Sequence, residues 1–413
     1  MESPERRYKS ICIGFASQQE YQESIEDKKK FRKYLKQEII DNPELFPEEI
    51  SKGFNFCGFV ESKKQEMKIR RIKLKNNEVY QIRPSFLMPY MIAKTDEIEK
   101  ILYLRRWGVP FEALAYVFGR NPMYYYRAFI SLGRPNLVST TIKYPKDLPK
   151  DLLADEKHTW INGKKLFAPT TVAQNCILGV GLAQSASAKD LTLAYQDFKS
   201  EALALDPNYI PSTVNTDGWV ATTQAWLTMF PTITLILCFL HSWLKIRDCC
   251  KRAKDIFPLV KKKVWHIYHS SSRSEFAQRI RRFSDWSLTY VKNDVVLSKI
   301  LDMCSNSSKF KQAFDFPSSY RTSATLDRLM NYQDRILYSS QYFHGSLQSA
   351  KLFLRASAIL FNFLPYGFRS KHTFPDRISP FSDINRFVYH DNWLHNFLIS
   401  SSFYGSRFKH KKR

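Results

Sequence analysis

Apolar and polar positions alternate with a short period after residue 151, and turn residues separate the apolar runs. This pattern predicts strands over 152–161, 165–172, 176–182, 212–215 and 232–239. Amphipathic spacing in the longer gaps predicts helices over 190–205 and 220–229. Asn162-Gly163, between the first two strands, is typical of a tight hairpin because both residues tolerate a positive φ. A meander of three strands followed by two helix–strand units predicts an α/β fold with a mixed five-stranded sheet.

The segment before this sheet has helical spacing interrupted by glycine and proline. Thr95-Asp96-Glu97 can cap a first helix that Gly108 ends, and Pro110 and Pro122 open two more. Three short helices with tight turns are the layout of a helix-turn-helix module. In that interpretation DNA would be approached by Asn121, Tyr124, Tyr125 and Arg127. An ordinary helical bundle with the tyrosines in its core is the alternative.

The two ends of the chain are less regular. The first 80 residues are charged, with a helix expected near 24–40 and a strand or basic connector over 68–82. Residues 242–319 have a mainly helical, basic pattern, and residues 320–365 predict one or two long helices. The predicted divisions are 1–80 without an assigned role, 81–145 as the helix-turn-helix-like region, 146–241 as the first part of the core, 242–319 as a helical insertion, 320–365 as the last core helices and 366–413 as a basic aromatic tail.

The charge of the chain indicates what kind of partner the protein binds. The chain of 413 residues has 63 Lys+Arg against 39 Asp+Glu, a formal net charge of +24. Such an excess favours a polyanion, most often DNA or RNA, over the ribosomal and membrane-surface alternatives. The charge is spread along the whole length, as in Lys28-Lys29-Lys30 and Lys261-Lys262-Lys263.

The cysteines and the apolar runs indicate a compartment. The seven cysteines are odd in number and have no CxxC spacing, which argues for reduced thiols and against a zinc ribbon or a disulfide framework. The first residues lack the apolar core of a signal peptide. The longest apolar run, near 233–240, falls far short of the roughly 20 residues that span a bilayer. We therefore expect a cytoplasmic protein without membrane contact.

Acidic residues inside the predicted strands stand out against this basic background. Asp155 lies within the first strand, and Asp217 ends the fourth, which should be its neighbour. An aspartate in a central strand is costly unless it is paired or bound to metal. Glu156 should point to the opposite face of a regular strand. Taken singly, each aspartate fits a loop or a helix cap, but together they suggest carboxylates that position divalent metals for phosphoryl transfer.

A third carboxylate is expected from a helix after the core. Thr322 or Ser323 can cap a helix that places Asp327 in its first turns, and Asp334 lies two turns further on as the alternative ligand. The competing interpretation is that these aspartates pair with Arg321, Arg328 or Arg335 on a solvated face.

The pair Cys238-x-x-His241 follows the fifth strand. It resembles half a zinc site, but the sequence has no second Cys/His pair at ligand spacing. Cys238 is better interpreted as a buried strand residue. His241 would contact DNA phosphate or influence the surroundings of Asp217, and a structural helix cap is the alternative.

In this order, these residues resemble the DDE/DDD transposases of bacterial insertion sequences, in the branch with Mutator-like features. That branch has a Cys-x-x-His after the second aspartate and a helical insertion before the third acid. The gaps here are 217 − 155 = 62 and 327 − 217 = 110 residues. The third motif departs from the related pattern Ser-Asn-x-x-Glu, since this chain has Ser323-Ala324-Thr325-Leu326-Asp327. The resemblance covers roughly residues 80–365.

The resemblance implies a ribonuclease-H-like core and a transposase activity. Asp155, Asp217 and Asp327 would hold two Mg²⁺ ions, for which Mn²⁺ can substitute, and the enzyme would nick the element end and join the freed 3′-hydroxyl to target DNA. The helix-turn-helix-like region would bind terminal inverted repeats, the basic insertion would hold the double-stranded DNA, and the protein would act as a homo-oligomer on the nucleoid. A degenerate transposase that only binds DNA and a nuclease without strand transfer are the alternative functions.

Overall fold

The computed structural model describes residues 9–405 except 16, 63–65, 90, 251, 252 and 254. These residues form a mixed α/β fold that contains two mixed sheets, one of four strands and one of five. Within them, no helix combines the length and the apolar character needed to cross a membrane.

The first sheet, called here the N-terminal sheet, has the strand order β1-β4-β3-β2. Its strands and the two helices after β1 are β1 (Ser10–Ile13), α1 (Gln18–Glu26), α2 (Lys28–Asp41), β2 (Phe54–Ser62), β3 (Met67–Leu74) and β4 (Val79–Pro84). β1 pairs with β4 in parallel, whereas β2 and β4 are antiparallel to β3. Short 3₁₀ turns occupy Pro43–Leu45 and Glu48–Lys52, and later Pro145–Asp147, Gln312–Phe314 and Ser402–Gly405.

The helical stretch expected near 24–40 consists of two helices that separate at Asp27. The Asp27 carboxylate accepts hydrogen bonds from the amides of Lys29 and Lys30 and so caps α2. The segment 68–82, expected as a strand or a basic connector, lies in the paired strands β3 and β4. The division placed after residue 80 falls inside β4.

Four helices lead from this sheet to the next: α3 (Thr95–Arg105), α4 (Phe111–Phe118), α5 (Pro122–Ser131) and α6 (Leu137–Thr141). The three helices predicted between residues 95 and 132 are confirmed as elements. Thr95 does not cap α3, because its hydroxyl donates to the carbonyl of Ser85 instead.

The second sheet, called here the central sheet, has the order β7-β6-β5-β8-β9. Its elements are β5 (Asp151–Ile161), β6 (Lys164–Ala173), β7 (Cys176–Val180), α7 (Ala188–Leu205), β8 (Thr213–Thr216), α8 (Val220–Met229) and β9 (Thr234–Leu237). β5, β6 and β7 form an antiparallel meander, and β8 and β9 continue in parallel from β5. The five strands and two helices predicted here are confirmed within two residues at each end.

A group of helices follows β9: α9 (Phe239–Cys250), α10 (Phe257–Tyr268), α11 (Arg273–Tyr290), α12 (Asp294–Ser305) and α13 (Ser307–Lys311). They enclose a core of their own, which includes Trp243, Val264, Phe276 and Ile300. Basic side chains of these helices lie on the protein surface, and Lys261 and Lys262 are exposed.

The remaining helices return to the central sheet and are α14 (Ala324–Ser339), α15 (Leu347–Phe363), α16 (Phe368–Thr373), α17 (Pro380–Asn385) and α18 (Trp393–Ser400). Alternation along β5 sends Leu153 towards the core shared with α14 and α15, and Leu152 towards the core shared with α7 and α8. The central sheet is thus covered on both faces, which agrees with its nearly continuous apolar strands.

The segment predicted as a basic aromatic tail after residue 366 contains helices that pack against the rest of the chain. All residues of α18 are buried. His395 Nδ1 lies 2.9 Å from the hydroxyl of Ser85, and His395 Nε2 lies 3.1 Å from Asp96 Oδ1. The last described residues therefore pack in the same hydrophobic core as the N-terminal sheet.

Candidate metal centre

Strand register places the first two predicted acids side by side. The paired residues of β5 and β8 are Asp151↔Thr213, Leu152↔Val214 and Leu153↔Asn215, each separated by 62 positions. Asp155 and Asp217 have the same separation, and Asp217 follows β8 directly, close enough for its charge to raise the pKa of Asp155. Sequence reasoning expected these strands to be neighbours, and the register confirms it.

His241 and Asp327, which belong to elements distant in the sequence, lie close to Asp155. The ligand atoms of Asp155 on β5, His241 on α9 and Asp327 on α14 all lie within 4.8 Å of one another, and each residue is partly buried. We call these three residues the acid–histidine cluster. Asp217 is not within that distance of all three, and its Oδ1 accepts a 2.8 Å hydrogen bond from the amide of Trp219.

The pKa values of Asp155 and His241 are both raised, for different reasons. Burial raises the pKa of Asp155 to about 6; the amide of Glu156 and the charge of His241 oppose that rise, and the charges of Asp217 and Asp327 add to it. A hydrogen bond to Cys238, opposed by burial, raises the pKa of His241 to about 9, with further support from Asp155 and Asp327. The raised pKa favours the protonated, cationic form of His241 beside the two carboxylates.

Cys238 and Ser323 hold His241 and Asp327 in place. The amide of Ser323 donates to Cys238 Sγ at 3.2 Å, and the Ser323 hydroxyl lies 3.5 Å from His241 Nδ1 and donates to Asp327 Oδ2 at 3.2 Å. Burial raises the pKa of the Cys238 thiol, but the hydrogen bond and charge of His241 outweigh it and lower the pKa overall. Cys238 is buried, as predicted, and it also supports the histidine three residues later.

Glu156 faces the other side of the sheet, as strand alternation predicts. Its carboxylate accepts hydrogen bonds from Tyr195 at 2.8 Å and Thr222 at 2.7 Å. Burial, opposed by these two hydrogen bonds, raises its pKa to about 7. Glu156 therefore belongs to the packing between β5, α7 and α8 and not to the acid–histidine cluster.

Asp334, the alternative third ligand, has a cationic partner. Its Oδ2 lies 2.5 Å from the ammonium of Lys157, and both side chains are about a quarter exposed. The arginine partners considered from the sequence are thus wrong. Asp334 still lines a cleft of about 440 Å³ together with Asp155 and Asp327.

The residues expected to contact DNA have different surroundings. Tyr125 is 2% exposed and packs in the core, so its predicted DNA contact is wrong. Asn121 caps α5 by accepting from the amide of Met123, and Tyr124 is half-buried with the Arg120 guanidinium 4.9 Å from its ring. Arg127 is exposed. Of this predicted group, Asn121 and Arg127 present the most surface.

Sequence reasoning missed two features of the site. The first is the proximity of His241 to Asp155 and Asp327; the Cys-x-x-His spacing was its only signal. The second is a set of aromatic residues, Trp160, Tyr338 and Tyr342, that line the same cleft. Trp160 next to the Asn162-Gly163 turn was visible, but its proximity to α14 was not.

Comparison of the chain with protein-family models and with curated proteins finds no match. Carboxylate oxygens are the ligands that Mg²⁺ and Mn²⁺ prefer, whereas imidazole suits later transition metals. The group that could hold a metal ion contains Asp155, His241 and Asp327, so two of its three donors are of the first kind.

Proposed function

We propose that this protein is a DDE/DDD-type transposase that cleaves and joins DNA strands with the help of divalent metal ions. The observation that carries the proposal is the convergence of Asp155 from β5 and Asp327 from α14, next to Asp217 at the end of β8. The order of the central sheet, with a meander followed by two parallel strands, supports the proposed ribonuclease-H-like core.

Asp155, Asp217 and Asp327 would hold the two Mg²⁺ ions. When bound, such ions supply Lewis-acid activation of the attacking oxygen and stabilisation of the leaving oxygen. The protein's own contribution would be to hold Asp155 on β5 and Asp327 on α14, with Asp217 directly after β8 and Ser323 orienting Asp327. His241 offers positive charge to a phosphate that approaches these carboxylates.

The basic surface supports the choice of DNA as substrate. Exposed Lys261 and Lys262 on α10 would contact phosphates, as would Arg127 on α5. Binding through such contacts weakens steeply as salt rises, because condensed counterions are released. Terminal inverted repeats, target DNA and a homo-oligomer on DNA remain part of the proposal.

The direct test is nicking of a supercoiled plasmid by the purified full chain in Mg²⁺ or Mn²⁺. We expect Asp217→Asn to reduce the rate by at least about 100-fold, since a metal-bound carboxylate contributes several kcal/mol of transition-state stabilisation. Plasmid binding at fixed salt should persist. The exposed Asp376→Asn is the matched control and should cleave like the wild type. Undiminished cleavage by Asp217→Asn would contradict the proposal.

A second assay separates transposase from nuclease. A DNA end with a pre-cut 3′-hydroxyl is incubated with the protein, metal and a target plasmid. Joined products support strand transfer, whereas nicking without joining favours a ribonuclease-H-like nuclease. Metal-independent binding with neither product favours a degenerate transposase that only binds DNA.

A further inference from the structure

Three aromatic side chains share the cleft with Asp155 and Asp327. Trp160, at the end of β5, is 37% exposed, and Tyr338, near the end of α14, is 64% exposed. The ring centre of Tyr342 lies 4.9 Å from that of Trp160 and 5.6 Å from that of Tyr338. These three residues, called here the aromatic platform, expose large apolar rings inside a polar cleft.

The backbone holds the platform in place. The amide of Phe343 donates to the carbonyl of Trp160 at 3.2 Å, and the amide of Asn162 donates to the carbonyl of Phe343 at 3.1 Å. The loop after α14 is thereby added to the end of β5. Gln341 and Tyr342 both have left-handed backbone angles, with φ of 50° and 68°. Conformations of this kind persist in non-glycine residues only when the surrounding structure imposes them.

Both α14 and β5 contain a residue of the aromatic platform and an aspartate of the acid–histidine cluster, so the spacing between the two groups can be estimated along each element. On α14, Asp327, Asn331, Asp334 and Tyr338 recur every three or four residues and lie on one stripe, which spans about 16 Å at ~1.5 Å per residue. On β5, five residues separate Asp155 from Trp160, which corresponds to about 16 Å along the strand at ~3.3 Å per residue. Because this odd spacing places the two side chains on opposite faces of a regular strand, Trp160 belongs to the cleft through its contact with Tyr342 at the strand end. At ~3.4 Å per stacked nucleotide the platform is up to about five nucleotides from the carboxylates.

An exposed cationic side chain lies next to the platform. Lys165 is the cross-strand partner of Trp160 in the hairpin and is exposed. Exposed aromatic rings with a cation nearby match a nucleotide, because its base has an apolar face and its phosphates are anionic.

We propose that Trp160, Tyr338 and Tyr342 stack against an unpaired nucleobase of the DNA strand whose phosphate lies at Asp155 and Asp327. This inference rests on the proposed function and narrows its substrate to a strand that is single-stranded or has an extruded base near the cleavage point. Bases inside a duplex cover each other's faces, so only an unpaired base offers a face to these rings.

The test uses fluorescence anisotropy of labelled DNA without divalent metal. The probes are a 15-nucleotide oligodeoxythymidine strand and a fully paired duplex of the same length. Stacking contributes about 1–3 kcal/mol per base, so Trp160→Ala and Tyr338→Ala should each weaken single-strand binding by about 5- to 150-fold. Duplex binding should change by less than about twofold, and Trp160→Phe should restore most of the loss.

Phe368→Ala is the matched control, since Phe368 is 84% exposed and lies on α16, away from the cleft. Unchanged single-strand affinity in both alanine variants would overturn the inference. So would equal losses on strand and duplex, or a shift from dimer to monomer in size-exclusion chromatography with strand affinity preserved, which would make the platform an interface between copies. Since these assays contain no metal, they are independent of the cleavage result for Asp217→Asn.

Discussion

Adjacent acids on one strand have separate environments. Asp155 lies with His241 and Asp327, whereas Glu156 is enclosed by Tyr195 and Thr222 on the other face of the sheet. The two carboxylates are one residue apart, so strand alternation alone separates them. Asp155 therefore lies in the acid–histidine cluster, where the proposed metal ions would bind, and Glu156 takes part in packing on the other face.

Glu156 makes folding stability depend on pH. Its pKa is about 7 in the folded chain, against a reference value of 4.5, so the folded state binds the proton more tightly. The stabilisation is complete below pH 4.5 and is lost as pH rises through 7. Relative to Glu156→Gln, we expect the wild-type free energy of unfolding to fall by on the order of 2–3 kcal/mol between those values.

Denaturant titrations at several pH values measure this difference. The exposed Glu97→Gln on α3 serves as the control and should follow the wild type. Parallel pH profiles for the wild type and Glu156→Gln would show that Glu156 is not buried as described.

At the site, sequence reasoning succeeded where the signal was local. Asp155 and Asp217 were predictable as neighbours because strand order and register follow from the alternation of apolar residues. His241 was not predictable beside them, because its position depends on where α9 begins relative to α14. The ion pair between Asp334 and Lys157 was missed for the same reason, since 177 positions separate the two residues.

At the scale of elements, the central sheet was predictable and the N-terminal sheet was not. β5 to β9 alternate with amphipathic helices, so local periodicity marks each one. β1 has only four residues and pairs in parallel with β4, about 70 positions later. α18 is buried all round and lacks the one-sided stripe by which surface helices are recognised.

Close packing of α7 on the central sheet depends on glycine in β7. A Cβ added at Gly179 would lie 2.6 Å from Phe198 Cβ, an atom fixed by the helix backbone. We expect Gly179→Ala to destabilise the protein by about 1–3 kcal/mol, since overpacking forces the helix away from the sheet.

Thermal or denaturant unfolding of the purified variants checks this expectation. Gly367→Ala is the control, because no atom lies within 4 Å of its added Cβ. If Gly179→Ala is as stable as the control, α7 does not pack on β7 as closely as described.

In the molecule as a whole, three acidic side chains lie close together although basic residues are in excess along the chain. The chain has a net charge of +24, yet Asp155, Asp217 and Asp327 come together from three elements. Bringing like charges together costs free energy that a bound cation would offset. The raised pKa of Asp155 reflects burial first and the charges of the other two aspartates among its further causes.

The most direct test of the proposed metal centre is binding of Mn²⁺ to the purified full chain, followed by electron paramagnetic resonance of the free ion. We predict saturable binding at pH 7.5 that Asp155→Asn and Asp327→Asn each weaken by at least about tenfold, as expected for loss of a ligand. Asp334→Asn, whose carboxylate already pairs with Lys157, should bind like the wild type. Equal Mn²⁺ affinity in the wild type and Asp155→Asn, or stronger loss in Asp334→Asn, would contradict the assignment of the metal centre.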